Sequence, residues 1–180
     1  MNNKKKCIFL DRDGVINKEV GHLSDPENFE FIPRSIEALK ILKQKGYLLI
    51  IITNQAGIAR GYYSEKILHN IHTKMNNILK ENNIALDDIF YCPHHPEYTG
   101  VCECRKPLPG MIFRAKSKYN IDLSESYMIG DTLNDIEAGI NAKCKTVLVL
   151  TGYGKEELKK INGIKPDMIF ENLYEFAKNL

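Results

Sequence analysis

Short apolar runs alternate along the chain with stretches in which apolar residues recur every three or four positions. "IFL" (Ile8 to Leu10) and "YLLIIIT" (Tyr47 to Thr53) are continuous and rich in branched residues, which predicts strands buried on both faces. Further strands are expected over 88–92, 127–131, 146–150 and 167–170. Between them, Ile36, Leu39 and Leu42 make one helical stripe, and Leu68, Ile71, Met75 and Ile78 make another that Ser64 can cap. Pro109 suits the first turn of a helix running to Asn120, and helices over 135–142, 155–161 and 173–180 complete the alternation. Repeated strand–helix–strand units predict an α/β fold of three layers, Rossmann-like, with a parallel sheet and ligands at the carboxyl ends of its strands. One segment, 92 to 110, has turn residues throughout and no period, so it reads as a long loop held by something other than a core.

Length and charge narrow the picture. With 180 residues the chain suits one domain, 1–180, and leaves no room for a large cap domain. Net charge is +2, which by itself points to neither a nucleic acid nor a membrane partner. The opening "MNNKKK" is basic, but "CIFL" is too short for a signal-peptide core, and no apolar run approaches the roughly 20 residues of a membrane span. The expectation is a cytoplasmic protein, monomeric, with a small-molecule partner. An odd count of 5 cysteines without an export signal argues against disulfides.

Four segments carry candidate chemistry, each at a strand end or helix start. In "DRDG", Asp11 and Asp13 leave the first strand in the same general direction, and Gly14 permits an unusual backbone. Two carboxylates so close stay ionised only beside a cation, and magnesium suits oxygen ligands. One can attack phosphorus while the other gives and takes protons. In "TNQAGIARG", Thr53 and Asn54 offer donors for a phosphate. In "CRKPLPG", Lys106 supplies a point charge and Arg105 a fork. In "GDTLND", Asp131 follows a strand after Gly130, with Asp135 four residues on, where it reads mainly as a favourable helix-start charge. Singly, these are also turns, caps and wet surface; their order along one sheet edge is what sets them apart.

In that order, and over nearly the full length, the chain resembles the haloacid dehalogenase (HAD) superfamily of phosphatases. "DRDGVIN", "TNQAGIARG" and "CRKPLPGM" are most similar to its heptose-bisphosphate phosphatase and histidinol-phosphatase branch. The resemblance implies Asp11 as nucleophile, Asp13 as acid and base, and Thr53 and Lys106 as supports of the phosphoryl group. It implies magnesium held by Asp11, Asp131 and the Asp13 carbonyl. Arg105 and Asn54, with Glu19, Gly21 and His22 after the first motif, would touch a sugar bisphosphate on its way to nucleotide-activated heptose, a precursor of lipopolysaccharide or capsule. Histidinol phosphate is the alternative substrate.

"YCPHHPEYTGVCEC" adds Cys92, His94 or His95, Cys102 and Cys104, a C-x-H and C-x-C pair that matches a four-ligand, structural zinc site over 92–104. The resemblance favours His94. Such a staple would fix Arg105 and Lys106 on an otherwise unpatterned loop. A zinc knuckle binding nucleic acid is the reading from another class, but a near-neutral chain with one knuckle gives it little. Cys7 and Cys144 read as packing residues, and His69 and His72 as solvated helix positions.

Overall fold

The computed structural model describes residues 4–180; residues 1–3, the start of the basic opening, lie outside it. Six strands form one sheet: β1 (Cys7–Leu10), β2 (Leu48–Asn54), β3 (Asp88–Cys92), β4 (Tyr127–Gly130), β5 (Lys145–Val149) and β6 (Met168–Phe170). Their order is β3-β2-β1-β4-β5-β6, and every neighbouring pair runs parallel. The helices are α1 (Ser35–Gln44), α2 (Glu65–Glu81), α3 (Pro96–Thr99), α4 (Gly110–Tyr119), α5 (Leu133–Ala142), α6 (Gly154–Lys159) and α7 (Leu173–Asn179).

Alternation along the strands sorts the core into two layers. Ile8, Leu10, Leu49, Ile51 and Ile129 pack with Leu39 and Leu42 of α1, Ile71 and Met75 of α2, and Phe176 of α7. Cys7, Phe9, Ile50, Ile52 and Met128 face the other way, onto Met111 and Ile112 of α4 and Ala138 of α5. Continuous apolar strands are therefore buried on both faces, as their composition requires.

Three local readings shift. In α2 the buried end of the stripe is Leu79 rather than Ile78, which is only half-buried, because three turns at 3.6 residues each carry the stripe from Leu68 to Leu79. Pro109 stands at the helix boundary of α4 rather than inside its first turn. His72 is buried, not solvated, and its ring meets Arg12. Cys7 and Cys144 are buried as packing residues.

The sheet order reverses between β1 and β4, and the crevice at such a switch point collects side chains from both strands' carboxyl ends. That is where Asp11, Thr53 and Asp131 emerge.

Candidate active site

Asp11 leaves the last residue of β1 with its amide bonded to Ile129 O (2.9 Å), so the chain is still pinned to β4 as the first carboxylate appears. Gly14 then takes φ +79°, a left-handed turn whose missing Cβ would overlap the Asp131 carboxylate. Gly130 is required for a related reason: a side chain there would overlap Asp135. These two glycines let three carboxylates crowd one spot. Oxygens of Asp11, Asp131 and Asp135 all lie within 4.8 Å of one another.

Lys106 reaches this cluster from the loop after β3. Its ammonium pairs with Asp11 Oδ1 at 3.0 Å and Asp135 Oδ1 at 2.5 Å, and donates to Ile52 O at 2.8 Å. Three oxygens thus surround the ammonium, of which the Ile52 carbonyl accepts a hydrogen bond and the two carboxylates supply charge. Asn54 aims it: the side-chain amide accepts from Lys106 N (3.0 Å) and donates to Lys106 O (3.1 Å). Asp135 also closes a capping box with Thr132 at the start of α5. It is therefore both the helix charge read from sequence and a buried partner of the site lysine, a role that the sequence reading missed.

Burial and the neighbouring Asp135 and Asp11 push the Asp131 carboxyl up to about 9. Burial, opposed by Lys106 and reinforced by Asp135 and Asp13, pushes Asp11 up to about 7. One lysine does not neutralise three carboxylates, of which Asp131 and Asp135 are buried and Asp11 partly so; a hard divalent cation among all-oxygen donors would, so these residues fit magnesium. Despite its own burial, Lys106 is held above the usual lysine range by Asp11 and Asp135.

Asp13 sits in a different setting. Arg12, fully buried, forms a fork to it (2.8–2.9 Å from Nη2), while Asn17 Nδ2 (2.8 Å) and Gln55 Nε2 (3.0 Å) donate to the same carboxylate. Burial alone would raise the Asp13 carboxyl, but Arg12, Asn17 and Gln55 together bring it below its ordinary value. Gln55 Nε2 also donates to Thr53 Oγ1 (2.9 Å), which is buried at the rim, and Tyr63 donates to Gln55 (2.6 Å). Arg12 Nη1 rests on His72 Nε2 at 3.1 Å. Burial and Arg12 push His72 down to about 3, so the ring is a neutral acceptor.

Glu19, Gly21 and His22 line the same cavity of about 190 Å³ as Asp11, Asp13 and Arg105. Glu19 accepts from the Gly21 amide (2.5 Å), and the His22 ring lies 4.9 Å from Tyr62. All the sugar-side residues expected from sequence line this cavity, and Asn54 among them spends its amide on Lys106.

On the loop, the Sγ atoms of Cys92, Cys102 and Cys104 lie 2.6–3.5 Å apart, with His94 Nδ1 3.4 Å from Cys104 and 3.8 Å from Cys92. Three sulfurs and one imidazole nitrogen converging this closely fit a tetrahedral zinc ion. His95 is turned away from them, towards Arg60.

A parallel sheet with an Asp-x-Asp loop, a buried lysine and a second acidic loop at its switch point defines the HAD-like hydrolases, and the HAD-hydrolase-like family profile matches residues 103–176. The D-glycero-beta-D-manno-heptose-1,7-bisphosphate 7-phosphatase of Pasteurella multocida is 50% identical over 82% of this chain and 83% of its own. The D-glycero-alpha-D-manno-heptose-1,7-bisphosphate 7-phosphatase of Photorhabdus laumondii is 50% identical over 86% and 88%. The crystal structure of D,D-heptose 1,7-bisphosphate phosphatase from B. bronchiseptica, complexed with magnesium and phosphate, superposes with a TM-score of 0.90 at 36% identity, covering 97% of both chains. The chain belongs to this HAD-like family of heptose-1,7-bisphosphate 7-phosphatases.

Proposed function

We propose that the chain removes the 7-phosphate of D-glycero-D-manno-heptose 1,7-bisphosphate by way of an aspartyl-phosphate on Asp11. The observation that carries this is the convergence of Asp11 with the buried Lys106, Asp131 and Asp135 at the switch point of a chain so similar to phosphatases of that name. Asp11 Oδ1 is occupied by Lys106 and by the Arg12 amide (2.7 Å), which leaves Oδ2 as the attacking atom. Its bond to phosphorus forms as the bond from phosphorus to the sugar oxygen breaks.

Asp13 then has two tasks. It gives the sugar oxygen a proton, and afterwards it takes one from the water whose oxygen displaces Asp11 and releases phosphate. The clamp by Arg12, Asn17 and Gln55 keeps its carboxylate in the base state used in the second step. For the first step the carboxyl must turn from Arg12 and take up a proton, which the incoming phosphate dianion favours. Lys106 exchanges its contact with Asp11 for a phosphoryl oxygen, and Thr53 stands at the same rim. Magnesium, held by Asp11, Asp131 and the Asp13 carbonyl, would neutralise charge on the phosphoryl oxygens. Zinc on Cys92, His94, Cys102 and Cys104 would have a structural part only, since four protein ligands leave it no open position.

Side-by-side turnover of both heptose bisphosphate anomers and of histidinol phosphate, with magnesium, tests the substrate. The expected result is a kcat/KM for one heptose anomer at least about 10²-fold above that for histidinol phosphate, because the pocket's cations are left unpaired by the latter. The reverse order would overturn the assignment.

A further inference from the structure

Two guanidinium groups line the cavity that holds Asp11 and Asp13, and the chemistry above gives a part to only one of them. Arg105 is tethered by Nη1 to His94 O at 3.2 Å. Arg60, which follows β2 in the "GIARG" turn, places Nη2 3.1 Å from His95 Nε2, while its Nε is buried with no hydrogen-bond partner. Its guanidinium also lies 5.7 Å from the Tyr98 ring centroid. Neither arginine forms an ion pair with a carboxylate among the described residues. Two guanidinium groups without a direct ion pair, in one small cavity, can both turn onto an anion that enters it. A buried, unpaired donor costs stability unless a ligand satisfies it.

The aim of Arg60 comes from the cysteine loop. An arginine can only donate, so His95 Nε2 is the acceptor in this contact. Nδ1 faces Glu97, 3.4 Å from its amide and 3.9 Å from its carboxylate. Adjacent histidines thus divide their work: His94 turns into the cysteine cluster, and His95 turns out to orient a cavity arginine.

We infer that Arg60 is a specificity-determining residue which, with Arg105, seats the phosphate that stays on the sugar, and that His95 is its positioning residue. This rests on the reading that the substrate carries two phosphates, of which the Asp11 centre removes one. A fork beside a phosphate gives paired, charge-assisted hydrogen bonds that a lysine could not reproduce.

The test reads a ratio: kcat/KM for the bisphosphate over kcat/KM for the monophosphate that carries only the group being cleaved. Heptose 1,7-bisphosphate and heptose 7-phosphate form the first pair, and fructose 1,6-bisphosphate and fructose 6-phosphate the second. In Arg60→Met the ratio is expected to fall about 10–100-fold, the worth of a charge-assisted hydrogen-bond pair, mainly through KM of the bisphosphate. In His95→Leu it is expected to fall about 3–10-fold with zinc content unchanged, and His95→Gln, which keeps an acceptor, is expected to restore it. A ratio within about twofold of the wild-type value in Arg60→Met overturns the inference; if that variant does not fold, the same result in His95→Leu does so. A wild-type protein that turns over only the fructose pair overturns the heptose reading instead, and the ratio is then taken on that pair.

Discussion

At the scale of single residues, the site depends on a few charges that have no solvent to rely on. Lys106 is the clearest case, being 2% exposed and paired with two carboxylates. Lys106→Met is expected to cost about 10²–10³-fold in kcat through lost charge stabilisation. It is also expected to cost about 3–5 kcal/mol of stability in magnesium-free protein, because the buried Asp135 and the partly buried Asp11 lose their cation. Unchanged urea midpoints would contradict the second figure. His72 gives a pH signature. Its folded value of about 3 lies below the ordinary imidazole value of about 6.5, so between these limits the unfolded chain binds a proton and the folded one does not. Stability from this group is therefore complete above about pH 6.5 and is lost as pH falls. His72→Gln keeps an acceptor for Arg12 and removes the titration. Between pH 6.5 and 5 it is expected to lose about 2 kcal/mol less stability than the wild type, measured by urea unfolding with magnesium present. Equal slopes would show that another group sets the acid limit.

At the scale of elements, what was legible in the sequence follows from the range of the forces involved. β1 and β2 are runs of branched apolar residues, and their burial on both faces is a local consequence of composition. Gly14 could be read too, because a left-handed turn leaves few choices of residue. Pairings across many residues could not. Arg12 meets His72 from 60 positions away, and no periodicity in α2 distinguishes a histidine facing an arginine from one facing water. Asp135 was hidden by its own propriety: Thr132 and Asp135 form a capping box, and a residue with one good local reason to be present gives no hint of a second. The loop from Cys92 to Cys104 lies between these cases, since the spacing of its ligands was visible but the opposite turns of His94 and His95 were not. Stripping zinc, or replacing Cys102 with Ser, is expected to lower Tm and to reduce kcat/KM, because Arg105 and Lys106 follow directly on the cluster. Verified metal-free protein with unchanged melting and turnover would remove the loop from the account.

At the scale of the whole molecule, the fold's contribution is convergence. β1, β2 and β4 are neighbours in the sheet, yet their site residues come from positions 11, 53 and 131. The lysine comes from a loop after the edge strand β3, and no helix among the described residues is long and apolar enough to cross a membrane. Relatives named for the alpha and for the beta heptose anomer are equally similar to this chain at 50% identity, so overall likeness is independent of the anomer. The central claim is covalent chemistry at Asp11, and one measurement addresses it most directly. Wild-type protein turning over heptose bisphosphate with magnesium is quenched in acid, reduced with borohydride and mapped by peptide mass spectrometry. The expected result is homoserine in place of Asp11, dependent on substrate and absent from Asp11→Asn, which should itself be inactive. Phosphate release at full rate with Asp11 never labelled, or with the label on another carboxylate, would contradict it.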